Sequence, residues 1–218
     1  MAAIHHRITG LLACAAALAA AAPCDILGAA GAPCVAALST VRALYAAYAG
    51  PLYLVRRASD NHTSAVAPLA PGGFADAAAQ DAFCAGDACV IWRIVDQSPF
   101  ANDLQIVSPG GNGPHFDRPV NASRLAVTVG GGAHRVYAAY FEGGQGYRID
   151  ATNGVATGNA PEVIYMVTSG THYNSGCCFD FGSAETNNDD TGAGSMGEPA
   201  GKRTLRSARG PRPSLSNR

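Results

Sequence analysis

Residues 89–98 read CVIWRIVDQS, and this stretch is the strongest strand signal in the chain. Its first seven residues are mostly β-branched or aromatic, and polar residues end the run, as is typical of a β-strand. Turns rich in glycine and proline separate similar patterns at 52–59, 123–130, 134–141, 162–169 and 177–183. Many short strands with such turns predict a mainly-β protein, a β-sandwich.

Two short helices are expected beside these strands. Ser39 or Thr40 is placed to cap a helix that runs through residues 40–48. A second helix is expected over residues 74–84, and no internal repeat accompanies either one. The 218 residues therefore suit one globular domain with its own core.

Residues 1–22 have the composition of a secretory signal peptide. Basic residues lie in Met1–Arg7, and the alanine-rich apolar run Ile8–Ala22 follows and ends in small residues. That run is too short for a membrane-spanning helix. We therefore expect cleavage near Ala22–Pro23 and a secreted, extracellular protein with no membrane segment.

Six cysteines remain after the signal segment, and an even number predicts disulfides in an exported protein. Their separations of 10, 5 and 1 residues favour local pairs among the possible connectivities. The local pairs are Cys24–Cys34, Cys84–Cys89 and Cys177–Cys178. A zinc site is the alternative, but no histidine lies at ligand spacing from these cysteines. We therefore expect no metal and no cofactor.

Charge is distributed unevenly, although the net charge is only −1. The body, residues 23–198, carries sixteen acidic residues against eight arginines, whereas residues 199–218 contain six basic residues and no acidic one. An acidic body argues against nucleic acid as a partner. We interpret residues 199–218 as a basic, disordered tail or as non-native coding sequence, because they show no strand or helix pattern.

Four single residues carry further expectations. Asn61 and Asn121 each begin an Asn-X-Ser/Thr sequon, and both would carry N-linked glycans if a eukaryote secretes the chain. Asp96 is expected to order a turn rather than to donate a proton. Trp92 is the sole tryptophan, and its position in the middle of a strand predicts a place in the core rather than on a sugar-binding surface.

The chain contains the segments PCDILGAAGAPCVAALSTVRALY, PLYLVRRASD, APLAPGGFADAAAQDAFCAGDAC and GTHYNSGCCFDFGSAETNNDDTGAGSM. Together these resemble the fungal-type α-L-arabinofuranosidase B enzymes, the family-54 glycoside hydrolases. The resemblance extends from Pro23 to Met196, and all three cysteine pairs fall where the family has its disulfides. It implies that residues 23–198 are the N-terminal part of the family's catalytic domain. That domain is a β-sandwich of the concanavalin or laminin-G jelly-roll kind, here incomplete at the C-terminus.

The resemblance also implies a function. Family members remove terminal α-L-arabinofuranosyl residues from arabinoxylan and arabinan with retention of configuration, and we expect a monomer. The vicinal disulfide Cys177–Cys178 would lie in the substrate pocket, where its sulfur atoms offer a rigid apolar surface to the CH face of the sugar. The alternative for this pair is a stiffened turn with no ligand.

Retaining glycosidases need two carboxyl groups roughly 5 Å apart. In the resembled family a Glu and an Asp beyond the vicinal cysteines fill these roles, and neither has a counterpart in this chain. Glu185 is the most tempting acidic residue, but it matches a position that is not catalytic. We therefore expect this chain to contain no catalytic residue and to be poorly stable and inactive alone. The alternatives are a non-catalytic arabinoside-binding secreted module and an unrelated secreted protein whose basic tail binds an acidic partner.

Overall fold

Seven strands and two short helices occur in the part of the chain that the computed structural model describes, residues 21–109, 115–156, 160–169 and 171. The prediction of a mainly-β protein with short helices is confirmed. The helices are α1 (Pro23–Ala29) and α2 (Ala77–Cys84). The strands are β1 (Tyr53–Arg57), β2 (Thr63–Val66), β3 (Cys89–Ile94), β4 (Leu104–Ile106), β5 (Leu125–Val129), β6 (His134–Ala138) and β7 (Tyr147–Arg148).

Five strands form an antiparallel sheet in the order β2-β1-β3-β4-β7, and β5 and β6 form a separate antiparallel hairpin. The register between β1 and β3 shifts at one point, where Leu54 pairs with Arg93 but Val55 pairs with Ile91. Trp92 is therefore an extra residue on β3, which makes a β-bulge. Bulges of this kind redirect side chains on the affected strand.

The core lies between the five-stranded sheet and the hairpin. Tyr53, Val55 and Ile91 of the sheet and Val136 of β6 are all essentially inaccessible to solvent and belong to one cluster. Val127 of β5 packs against the same cluster. Two layers of strands that bury their facing side chains in this way form a β-sandwich.

Residues 40–48 do not form the predicted helix but a series of bends and turns. The Ser39 hydroxyl accepts hydrogen bonds from the N–H groups of Val41 and Arg42, as a helix cap would. The N–H groups that a helix would use instead bind distant side chains. Leu44 N–H donates to Gln97 Oε1 (2.6 Å), and Ala46 N–H donates to Asp25 Oδ2 (2.8 Å). Tertiary hydrogen bonds thus override the local helical preference.

Residues 162–169 do not form the predicted strand either. No described residue pairs with this segment in a β-ladder, and its large apolar side chains are exposed, with Val163 at 77% and Val167 at 92% exposure. A strand needs a neighbour to take its backbone N–H and C=O groups, so a strand-like sequence alone is not sufficient. The predicted strand at 177–183, residues 1–20 of the expected signal peptide 1–22 and the tail 199–218 lie outside the described residues.

Two of the three predicted disulfides are present. Cys24–Cys34 joins α1 to the loop that follows it, and Cys84–Cys89 joins the end of α2 to the start of β3. The Cα atoms of the two pairs are 5.5 and 5.9 Å apart, which is the usual separation for a disulfide. Cys177 and Cys178 lie outside the described residues. Within the described ranges, no helix has the length and apolar character needed to cross a membrane.

Candidate functional site

The carboxylate of Asp96 is buried just beyond β3 and accepts four hydrogen bonds. Its Oδ1 atom accepts from the backbone N–H groups of Ala37 (2.7 Å) and Ser98 (2.9 Å). Its Oδ2 atom accepts from the Ser98 hydroxyl (2.6 Å) and from the Asn102 N–H (2.8 Å). The prediction that Asp96 orders a turn is confirmed, because two of the donors are turn N–H groups, those of Ser98 and Asn102. The four bonds occupy the acceptor sites of the carboxylate, so none is left for a substrate.

The residues beside Asp96 extend the same structural role. Gln97 Oε1 accepts the 2.6 Å bond from Leu44 N–H, which holds the irregular 40–48 segment against the sheet. The buried Asn102 side chain donates to the carbonyl oxygens of Val35 (2.7 Å) and Asn153 (3.0 Å). The turn after β3 therefore connects the segment between α1 and β1 to the segment after β7.

A groove of about 390 Å³ lies beside the bulge in β3, and we call it the Trp92 groove. Its walls come from β1, β3, β4 and the segment before β5, through Arg56, Trp92, Arg93, Gln105, Ile106, Phe116, Asp117 and Pro119. Strand alternation places Arg56 on the face of β1 opposite the buried Val55, so the groove faces away from the core. Phe116 is 66% exposed there.

Trp92 lies in this groove and not in the core, so the prediction for it was wrong. The residue is half-buried, and the guanidinium carbon of Arg56 lies 3.5 Å from the centre of its ring. The physical reason is strand alternation, since Trp92 follows the buried Ile91 and points to the opposite face. The bulge then places Arg93 on that same outer face before Ile94 returns to the core.

Several polar groups of the Trp92 groove have no partner among the described residues. Arg93 Nε is buried without a hydrogen bond, although Nη1 of the same side chain lies 3.6 Å from a carboxylate oxygen of Asp103. Neither the Arg56 guanidinium nor the Asp117 carboxylate has a hydrogen bond or ion pair to a described residue, and burial raises the pKa of Asp117. Most other charged side chains in the described part of the chain have an ion pair, as Arg57 has with Asp60, or a hydrogen bond, as Arg118 has to the Gly143 carbonyl.

Both sequon asparagines are exposed. Asn61 lies in the turn between β1 and β2 with a φ of 58°, and its N–H donates to the Arg57 carbonyl (3.0 Å). The Asn121 side chain accepts a 2.9 Å bond from Ser123 N–H. These positions are accessible to a glycan, and glycosylation itself stays a prediction.

The predicted substrate contacts Cys177 and Cys178 lie outside the described residues, as does Glu185. Within the described ranges, no three histidine, cysteine, aspartate or glutamate side chains are grouped so that they could hold a metal ion.

Sequence reasoning missed the Trp92 groove because no local motif encodes it. Its residues come from four separate segments, which only the strand pairing and the bulge bring together. One available signal was the isolated aromatic–acidic pair Phe116 and Asp117, which lies outside any strand pattern.

Relatives of known family share much of this sequence. The model of the family described as "Alpha-L-arabinofuranosidase B, catalytic" matches residues 23–210. The "Probable alpha-L-arabinofuranosidase B" of Aspergillus terreus is 53% identical over 183 residues, which cover 82% of this chain and 36% of the relative. The "Alpha-L-arabinofuranosidase B" of Emericella nidulans is 51% identical with the same coverage. The chain thus spans about a third of the length of these relatives.

Solved structures agree with the sequence relatives. A GH54 α-L-arabinofuranosidase soaked with a cyclic sulfate inhibitor aligns with a TM-score of 0.72 and 44% identity, over 79% of this chain and 36% of that one. An arabinofuranosidase in complex with arabinofuranosyl-α-1,2-xylobiose aligns with a TM-score of 0.70 and 42% identity, over 78% and 36% of the two chains. The chain therefore belongs to the catalytic-domain family of α-L-arabinofuranosidase B, the GH54 glycoside hydrolases.

Proposed function

We propose that this sequence belongs to a secreted, monomeric α-L-arabinofuranosidase that releases terminal arabinofuranosyl residues from arabinoxylan or arabinan with retention. We further propose that the 218-residue chain alone contacts the arabinoside but does not hydrolyse it. The observation that carries the first part is the family match over residues 23–210. The relative in complex with arabinofuranosyl-α-1,2-xylobiose supports the substrate class.

Two observations support an inactive chain. Hydrolysis with retention requires a nucleophile and an acid/base about 5 Å apart, and the resemblance assigns these roles to a Glu and an Asp without counterparts here. In addition, the buried carboxylate of Asp96 is saturated by four hydrogen bonds and is not available as a substitute.

The proposed arabinoside contact is the vicinal pair Cys177–Cys178. Two bonded neighbours form a small rigid ring, and its sulfur atoms offer a polarizable apolar surface against which a furanose can pack. The test is a ligand-observed NMR titration of methyl α-L-arabinofuranoside against the wild-type chain and the Cys177→Ser/Cys178→Ser variant. We expect the wild type to broaden the sugar resonances and the variant not to do so. Equal broadening by both proteins would contradict the assignment.

A non-catalytic arabinoside-binding secreted module is the second candidate function, and the saturated Asp96 carboxylate agrees with it as well as with the first. Both candidates predict binding, and they differ in what a longer polypeptide of the same family does. Extending the chain with the remaining catalytic-domain sequence of a relative restores hydrolysis if the first candidate is right. It leaves binding without hydrolysis if the second is right.

A further inference from the structure

We propose that the Trp92 groove binds a neutral pentose oligosaccharide, the main chain of the polymer that carries the arabinose side chains. The inference rests on the proposed function and deepens it, because it adds a contact for the polymer apart from the one proposed at Cys177–Cys178. The carrying observation is that one groove combines aromatic surface with polar groups of both signs that have no partner among the described residues.

The aromatic residues provide the apolar part of the site. Phe116 is 66% exposed at the wall of the groove, so its ring is accessible to a ligand. The Trp92 ring lies in the same groove, with the Arg56 guanidinium 3.5 Å from the ring centre. Stacking fixes the position of that guanidinium, so its N–H groups are oriented before a ligand arrives. Because the guanidinium covers that face of Trp92, the aromatic surface open to a ligand is the Phe116 ring, and the CH faces of sugar rings suit such a surface.

The polar residues determine the charge of the ligand. A simple anion would pair with Arg56 but leave Asp117 beside a like charge, and a simple cation would pair with Asp117 but lie beside Arg56 and Arg93. A sugar hydroxyl is neutral and both donates and accepts hydrogen bonds. One hydroxyl can therefore donate to Asp117 while another accepts from Arg56. A polyhydroxylated neutral ligand satisfies both groups at once, which no simple ion does.

The size and position of the groove suit a short stretch of a polymer. Its volume of about 390 Å³ falls within the range of small-molecule sites, roughly 300–1,000 Å³. Gln105 is exposed at its wall, and its amide offers one more donor and one more acceptor.

The test uses Trp92 itself, because it is the sole tryptophan and its fluorescence reports directly on the groove. The full chain is titrated with xylohexaose and, separately, with linear arabinohexaose. We expect a saturable change in tryptophan emission with at least one of them. Calorimetry should then show at least fivefold weaker binding for Arg56→Ala and for Gln105→Ala. Arg124→Ala is the matched control, since its guanidinium stacks on Tyr140 outside the groove (5.2 Å), and it should bind as the wild type does.

Three results would overturn the proposal: no saturable change with either oligosaccharide, unchanged affinity in both groove variants, or equal weakening in the Arg124→Ala control. Gln105 is exposed, so its variant keeps the test valid even if Arg56→Ala does not fold. The Cys177→Ser/Cys178→Ser variant separates this proposal from the proposed function. If the wild type binds xylohexaose but not methyl α-L-arabinofuranoside, the groove proposal is supported and the proposed arabinoside site at Cys177–Cys178 is rejected. If it binds the arabinoside but neither hexasaccharide in the groove, only the groove proposal is rejected.

Discussion

The Tyr53 hydroxyl donates a 2.7 Å hydrogen bond to Oε1 of Gln80, and both side chains are almost completely buried. The Gln80 amide nitrogen in turn donates to the Ala122 carbonyl (3.0 Å) and to the Ser123 hydroxyl (3.3 Å). One glutamine therefore connects β1, α2 and the segment that enters β5. Inside a core, such a connection is stabilising only while every member has its partner.

We predict that Tyr53→Phe and Gln80→Leu each destabilise the fold, because each leaves a buried polar group without its partner. The expected loss is about 1–3 kcal/mol in the free energy of unfolding for each variant. The double variant should lose less than the sum, since the second change removes the group that the first one left unpaired. Urea unfolding of the four proteins measures this coupling. Strictly additive losses would show that the hydrogen bond does not contribute.

We predict that stability falls in alkaline solution. Burial raises the pKa of Tyr53 and of Tyr147 above the ordinary tyrosine value of about 10. A raised pKa means that the folded state favours the protonated phenol, so this contribution is complete below about pH 10 and is lost as the pH rises above it. Unfolding free energies between pH 8 and pH 12 measure the decline. The decline should be smaller in Tyr53→Phe, and an equal decline in both proteins would contradict the assignment to Tyr53.

We predict that Asp96→Asn is strongly destabilising, because an amide nitrogen replaces an acceptor that two donors approach. Hydrogen bonds to a charged group contribute about 1.5–3 kcal/mol, and we expect a loss of at least that size at neutral pH. Asp60→Asn is the control. Hydrogen bonds from Arg57 and from the His62 backbone lower the pKa of Asp60 to about 2, yet the residue is exposed to solvent, so its loss should be much smaller. Equal losses for the two variants would contradict the structural role of Asp96.

We predict that residues 163–167 drive self-association of the chain. Apolar, strand-forming segments that are exposed and unpaired template the pairing of other chains, and Val167 is 92% exposed. Val167→Lys should lower the mean mass measured by light scattering at high protein concentration. Leu69→Lys, at a residue that is 55% exposed in a different segment, should not. The same effect from both variants would point to net charge rather than to this segment.

The sequence predicted those elements whose local signals agree with the tertiary structure. β3 follows from its β-branched run, and α2 begins where Asp76 accepts a hydrogen bond from Ala79 N–H (2.9 Å). The strands β4 and β7 escaped prediction because they have three and two residues, too few for an alternating pattern. The 40–48 helix failed because its backbone bonds to distant side chains.

The functional residues also divide into those that local sequence predicts and those that only the fold determines. The turn role of Asp96 follows from a polar motif at the end of a strand, which is local information. The place of Trp92 depends on which of its neighbours enter the core: Ile91 does, so Trp92 lies on the other face. Apolar residues precede Trp92 on both faces of the strand, so the local pattern does not show which face is buried. The partners Arg56 and Asp117 come from segments far apart in sequence, so only the folded sheet brings them into one groove.

The most direct test of binding without hydrolysis follows one NMR sample of the purified chain with 4-nitrophenyl α-L-arabinofuranoside over time. We predict broadening of the sugar resonances, which reports binding, with no 4-nitrophenol beyond that of a protein-free control. Formation of 4-nitrophenol in proportion to protein concentration would contradict it, because this chain would then contain a complete pair of catalytic carboxyl groups.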